Sequence, residues 1–215
     1  MRTVGILGGM GPEATILLMQ KVLSAVQAHD DRDHVPLIVD HNPQVPSRIE
    51  ALIEGTGESP TRALIAMARR LEIAGCRALA MPCNTAHHYA EEIKAAVTIP
   101  FLDMIVATAK ALSLKIPQGG RVGMLASPAV RKSQLYEPAL TRQGFQVVYP
   151  DDDSNLLNII RAVKRGETRQ TGKYLAHEAT KLSQKHGCCH LLVSCTELSL
   201  LTDVIPSPLS WTDSL

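Results

Sequence analysis

The sequence predicts an α/β fold of two similar halves, two pseudo-symmetric αβα domains with mostly parallel sheets. Short runs of Val, Ile, Leu and Met alternate with amphipathic helical patterns, as in chains of βαβ units. The runs are apolar without alternation, which suits parallel strands covered on both faces. A segment around one cysteine also recurs around a second.

The strand runs are Val4–Leu7, Leu37–Val39, Ala78–Met81, Val122–Leu125, Val147–Tyr149 and Leu191–Val193. Between them, Ser59-Pro60 supplies a helix cap and a proline at the first helical position. Leu64, Met67, Ala68 and Leu71 then share one face, and Gly75 stops the helix. Pro128 to Gly144 has the same proline start and glycine stop.

The repeat aligns Gly75-Cys76-Arg77-Ala78-Leu79-Ala80-Met81-Pro82-Cys83-Asn84-Thr85 without a gap on Gly187-Cys188-Cys189-His190-Leu191-Leu192-Val193-Ser194-Cys195-Thr196-Glu197. Val4-Gly5-Ile6-Leu7 echoes Val122-Gly123-Met124-Leu125 more faintly. Two buried strands can resemble each other by chance, but equal glycine-to-cysteine spacing favours duplication. The turn-rich Pro117-Gln118-Gly119-Gly120 marks the boundary, giving domains 1–117 and 118–215.

Composition narrows the function. The chain has 215 residues, 45% of them hydrophobic, enough for one large domain or two small ones. With 22 Lys+Arg against 21 Asp+Glu the net charge is +1, which argues against a nucleic-acid partner. No apolar run approaches the roughly 18 residues of a membrane span. The glycine-rich N-terminus does not read as a signal peptide. Five cysteines, with Cys188 and Cys189 adjacent, do not form a secreted disulfide framework. The expected setting is a reducing cytoplasm.

Cys83 and Cys195 each fall where a strand hands over to a helix. Free N–H groups and the helix dipole there are expected to favour thiolate over thiol. Cys76, Cys188 and Cys189 sit near strand starts and read as inert core residues. Two facing thiols suggest one reaction: one takes a Cα proton while the other returns a proton on the opposite face, inverting configuration without a cofactor. Zinc is the competing use of Cys83, His87 and His88, or of Cys188, Cys189 and His190. The absence of any C-x-x-C pair argues against it.

Gly9-x-Gly11-x-x-Ala14 after the first strand fits a dinucleotide fingerprint, and Asp40 ends the next strand. The equivalent turn Ala126-Ser127-Pro128 lacks the glycines, so the loop reads as a close backbone approach to a small anion. Arg48 follows the proline-bounded segment Asn42–Ser47 and could fork onto a carboxylate. Lys164 ends a helix whose apolar side carries Ile159, Ile160 and Val163. Alone, either cation would be solvated surface.

Together, Gly5-Ile6-Leu7-Gly8-Gly9-Met10-Gly11-Pro12, the Asn42–Arg48 segment, Met81-Pro82-Cys83-Asn84-Thr85-Ala86-His87 and Cys195-Thr196-Glu197-Leu198 resemble the aspartate racemases of the cofactor-independent aspartate/glutamate racemase superfamily. The resemblance spans essentially the whole chain. It implies two pseudo-symmetric domains with the active site in the cleft between them, a homodimer, no cofactor and no metal. It implies Cys83 and Cys195 as the acid/base thiols, with Asn84, Thr85 and Thr196 holding the α-carboxylate and amino group. Arg48 and Lys164 would bind the side-chain carboxylate, which favours aspartate. Met10 and Ser127 complete the expected substrate-binding set. The chain departs from the family's pattern at Ser47, where Asp is common, and at Ser194, where Gly is common. Family chains also usually continue into one more helix, whereas this sequence ends at Trp211–Leu215.

Overall fold

The computed structural model describes residues 2–215, the side chain of Arg169 excepted. It divides into two compact units, Met1–Met104 and Ile105–Leu215. The first holds strands β1 (Val4–Gly8), β2 (Leu37–His41), β3 (Ala78–Ala80) and β4 (Phe101–Leu102), paired in the order β2-β1-β3-β4. The second holds β5 (Arg121–Ala126), β6 (Gln146–Val148), β7 (His190–Ser194) and β8 (Trp211–Asp213), in the order β6-β5-β7-β8. Every pairing is parallel. The two sheets therefore have one topology.

The helices are α1 (Pro12–Ala25), α2 (Thr61–Ile73), α3 (Ala90–Ala96), α4 (Met104–Ser113), α5 (Pro128–Lys132), α6 (Glu137–Arg142), α7 (Ser154–Lys164) and α8 (Thr168–His186). Helix α2 buries Leu64, Met67, Ala68 and Leu71, the stripe its sequence marks. Each large side chain there contributes about 1.5–3 kcal/mol of hydrophobic stabilisation. Pro60 caps this helix rather than opening it, and Ser59 Oγ accepts from the Thr61 N–H at 3.4 Å. Gly75 leaves the helix at φ +89°.

The repeat is visible at atomic level. A Cβ on Gly5 would meet Leu79 Cδ2 at 2.9 Å and Cys76 Sγ at 3.0 Å. On Gly123 it would meet Leu191 Cδ2 at 2.8 Å and Cys188 Sγ at 3.1 Å. The same three positions of the aligned segments make the same close approach in both units. Cys76 and Cys188 are thus core residues, and burial pushes both thiols up. Cys189 differs from expectation: it is exposed, with its thiol donating to the Arg121 carbonyl.

Three other expectations change. The boundary lies at residue 104 rather than 117. Ile105, Ala109, Leu112 and Ile116 pack with Val122 and Met124 of the second core, so α4 belongs to that unit. The Pro128–Gly144 stretch forms two short helices, because Pro138 has no N–H to continue the first and Gln134 turns at φ +48°. Strands β4 and β8, the equivalent edges of their sheets, were not expected. Each is too short to show a pattern.

Candidate active site

In the first unit, three loops leave the carboxyl ends of parallel strands, where α/β sheets bind ligands. The loop after β1 is drawn in tightly. Gly9 has φ +91° and a Cβ there would fall 2.4 Å from the Asn42 backbone, while one on Gly8 would strike Thr15. The Gly9 N–H donates to Thr15 Oγ1 at 2.9 Å. These glycines serve chain packing. Asp40, the acid of the dinucleotide pattern, is instead ion-paired with Arg70 at 2.7 Å.

After β2, Arg48 is fixed by Nη1 donating to the carbonyls of Pro46 (3.0 Å) and Val45 (3.3 Å). Its Nε is buried with no hydrogen-bond partner among the described residues. After β3 comes Cys83, 6% exposed, with its N–H on the Met81 carbonyl at 2.9 Å. Residues Thr85–Tyr89 then form a 3-10 turn rather than an α-helix.

His87 in that turn locks the cysteine loop. Its Nδ1 lies 2.8 Å from the Cys83 carbonyl and its Nε2 accepts the Met104 N–H at 3.2 Å. One nitrogen must donate and the other accept, so the ring is the neutral Nδ1–H tautomer. Burial lowers the His87 pKa, which agrees. Both nitrogens face backbone. Tyr89 closes the turn, with burial raising its phenol while the Arg48 charge opposes that shift. Arg48 and the Cys83 turn thus share one end of the first sheet.

In the second unit, Cys195 follows β7, 5% exposed, and again a 3-10 segment (Leu198–Val204) follows it. Its Sγ donates to Glu197 Oε2 at 3.2 Å. The other oxygen, Glu197 Oε1, lies 2.5 Å from Lys164 Nζ at the end of α7. Burial, then the Glu197 charge and hydrogen bond, push the Cys195 thiol well up, with Lys164 opposing. The expected thiolate stabilisation is reversed at Cys195. A 3-10 turn offers little dipole, and a carboxylate faces the sulfur.

Comparison with known families decides what this constellation belongs to. The Asp/Glu/hydantoin racemase family profile matches residues 7–210. The chain belongs to this family. It is 29% identical over 217 residues to the broad specificity amino-acid racemase RacX of Bacillus subtilis, covering 98% of this chain and 92% of the relative. The structure of Picrophilus torridus aspartate racemase matches with TM-score 0.89 and 31% identity, over 100% of this chain and 89% of that one. An aspartate racemase homologue from Pyrococcus horikoshii shares the fold at 22% identity, TM-score 0.75, over 100% and 94% of the two chains. The protein is an isomerase of the amino-acid racemase type, a family acting on small amino-acid substrates.

The sequence places most of the racemase's candidate residues at strand ends. Met10, Cys83 and Asn84 are buried in the first unit, with Thr85 and Arg48 half-buried. Ser127, Cys195 and Thr196 are buried in the second. Ser127 caps α5, its Oγ accepting from the Ala129 N–H at 3.2 Å. Lys164 is brought to Cys195 through Glu197. Sequence reasoning saw Glu197 only as a polar neighbour able to hold a carboxylate or ammonium group and His87 only as a disfavoured zinc ligand, although the motif contains both. Ser194, fully buried, leaves its hydroxyl without a partner among the described residues. Among the described residues, no three His, Cys, Asp or Glu side chains gather into a metal-binding group, and no helix is long and apolar enough to cross a membrane.

Proposed function

We propose that this racemase interconverts L- and D-aspartate without a cofactor, Cys83 and Cys195 exchanging protons with one Cα. The observation that carries this reading is the repeated cysteine. In each unit the third strand of an identically ordered sheet leads to a buried cysteine. One sulfur, as thiolate, takes the Cα proton, and the other delivers its proton to the opposite face. One S–H and one C–H bond form as one of each breaks. Asn84, Thr85 and Thr196 hold the α-carboxylate and amino group and stabilise the charge that develops there. Met10 and Ser127 line the substrate.

Arg48 binds the side-chain carboxylate. Its buried Nε has no hydrogen-bond partner among the described residues and can donate to a carboxylate, and its Nη1 anchors preset the fork. Lys164 assists from its ion pair with Glu197. The likeness to Picrophilus torridus aspartate racemase supports this choice of substrate.

The test is chiral chromatography after incubation with L-aspartate, L-glutamate or L-alanine and no cofactor. D-aspartate formed fastest is the expected result. Comparable rates on all three would favour a second reading, a broad racemase, which the likeness to RacX supports. The reading includes a homodimer in the cytoplasm, checked by light scattering and by cell fractionation.

A further inference from the structure

We propose that Glu197 is a positioning residue that keeps the proton on Cys195 before turnover, so that Cys195 begins as the acid and Cys83 as the base. The inference rests on the two-thiol reading above. An ionised carboxylate can only accept a hydrogen bond, so the 3.2 Å contact places the hydrogen on sulfur. The Lys164 ammonium lies 2.5 Å from Glu197 Oε1, in salt-bridge contact with that carboxylate. A thiolate at Cys195 would instead set two negative charges together in a buried place.

The repeat supplies the second, independent observation. Aligned on the cysteines, Glu197 falls opposite Thr85. The two halves agree in strand, glycine and cysteine, yet one sulfur is followed by a carboxylate and the other by a hydroxyl. A duplicated site with equivalent thiols has no built-in starting state. This substitution creates one.

The charged groups acting on Cys195 are Glu197 and, from α7, Lys164. Two other acids of the second unit bond to other groups. Asp213 on β8 accepts from Ser199 Oγ at 2.7 Å and from the Leu215 N–H. Glu178 on α8 accepts from Asn155 Nδ2 at 3.0 Å. In turnover, Cys83 thiolate takes the Cα proton and Cys195–SH gives up its own, leaving Cys83–SH and a Cys195 thiolate beside Glu197. That repulsion favours return of a proton to Cys195, through water, after product leaves.

The test measures the rate of Cys195 alkylation by iodoacetamide against pH, resolved by peptide mass spectrometry. It compares the native protein, Glu197→Gln and Glu197→Asp. Gln keeps the shape and loses the charge; Asp keeps the charge and shortens the arm. If Glu197 acts by its charge, the Gln variant alkylates about ten-fold faster than native at pH 8, equivalent to one pKa unit, with the Asp variant between them. A Gln profile matching native, or an Asp variant faster than Gln, would overturn the proposal. Should the Gln variant fail to fold, Glu197→Thr, which puts in the residue the repeat sets at that place, takes over its arm, and a Thr profile matching native overturns the proposal equally. Alkylation needs no turnover, so a protein that passes this test yet fails to racemise aspartate would refute the proposed function alone.

Discussion

Cys195 donates its thiol hydrogen to Glu197, and Lys164 holds the far oxygen of the same carboxylate. The thiol proposed to be catalytic and the cation expected to bind substrate are thus joined through a third side chain. A substrate carboxylate that approaches Lys164 meets a cation already engaged.

Replacing either thiol should stop the reaction. Cys83→Ser and Cys195→Ser are each expected to lower turnover at least about 100-fold, the low end of what a positioned acid or base contributes. Thermal melts of both variants should stay close to native, since serine differs little in volume. Near-native turnover in either variant would refute the two-thiol chemistry.

Arg48→Ala should act on recognition more than on chemistry. A charge-assisted hydrogen bond is worth about 1.5–3 kcal/mol. KM for aspartate is therefore expected to rise about ten-fold or more, with kcat less affected. The preference for aspartate over alanine should shrink, and an unchanged preference would remove Arg48 from side-chain binding.

Two buried histidines predict acid sensitivity. Burial lowers the pKa of His87, and burial with the Lys115 charge lowers that of His190. Unfolded chains bind these protons below about pH 6.5 while the native state does not. Stability is thus held above that value and lost as pH falls toward the native pKa, by up to about 1.4 kcal/mol per pH unit for each histidine. Urea unfolding at pH 7.5 and 5.5 should show the loss. His87→Gln should reduce it, while lowering stability at pH 7.5 by about 1–3 kcal/mol through the weakened bonds to Cys83 and Met104.

The matched glycines predict matched costs. Gly5→Ala and Gly123→Ala each force a methyl against a leucine and a cysteine. Overpacking of this kind costs about 1–3 kcal/mol. Denaturant unfolding of the two variants should show losses of similar size, and a neutral result at one position would break the structural equivalence.

What the sequence reveals depends on how local the cause is. The α2 stripe, the strand runs and the cysteine repeat follow from patterns within a few residues, and each has its counterpart in the structure. Phe101–Leu102 and Trp211–Asp213 are strands only because a neighbouring strand offers hydrogen bonds, so no local pattern marks them. Gly8 and Gly9 look like part of a phosphate loop. Thr15 and Asn42 are what require them, and Asn42 lies far along the chain. Glu197 is legible as part of a motif, but the burial that does most to raise the Cys195 thiol and the opposing Lys164 charge from another helix are not. The direction of the Cys195 shift is a tertiary property.

The most direct test follows L-aspartate in deuterated water, with no added cofactor, by proton NMR and chiral chromatography. If two thiols work from opposite faces, the D-aspartate formed early carries deuterium at Cα while the remaining L-aspartate keeps its proton. No exchange from folded, reduced protein, or D-aspartate that retains the original Cα proton, would contradict the account.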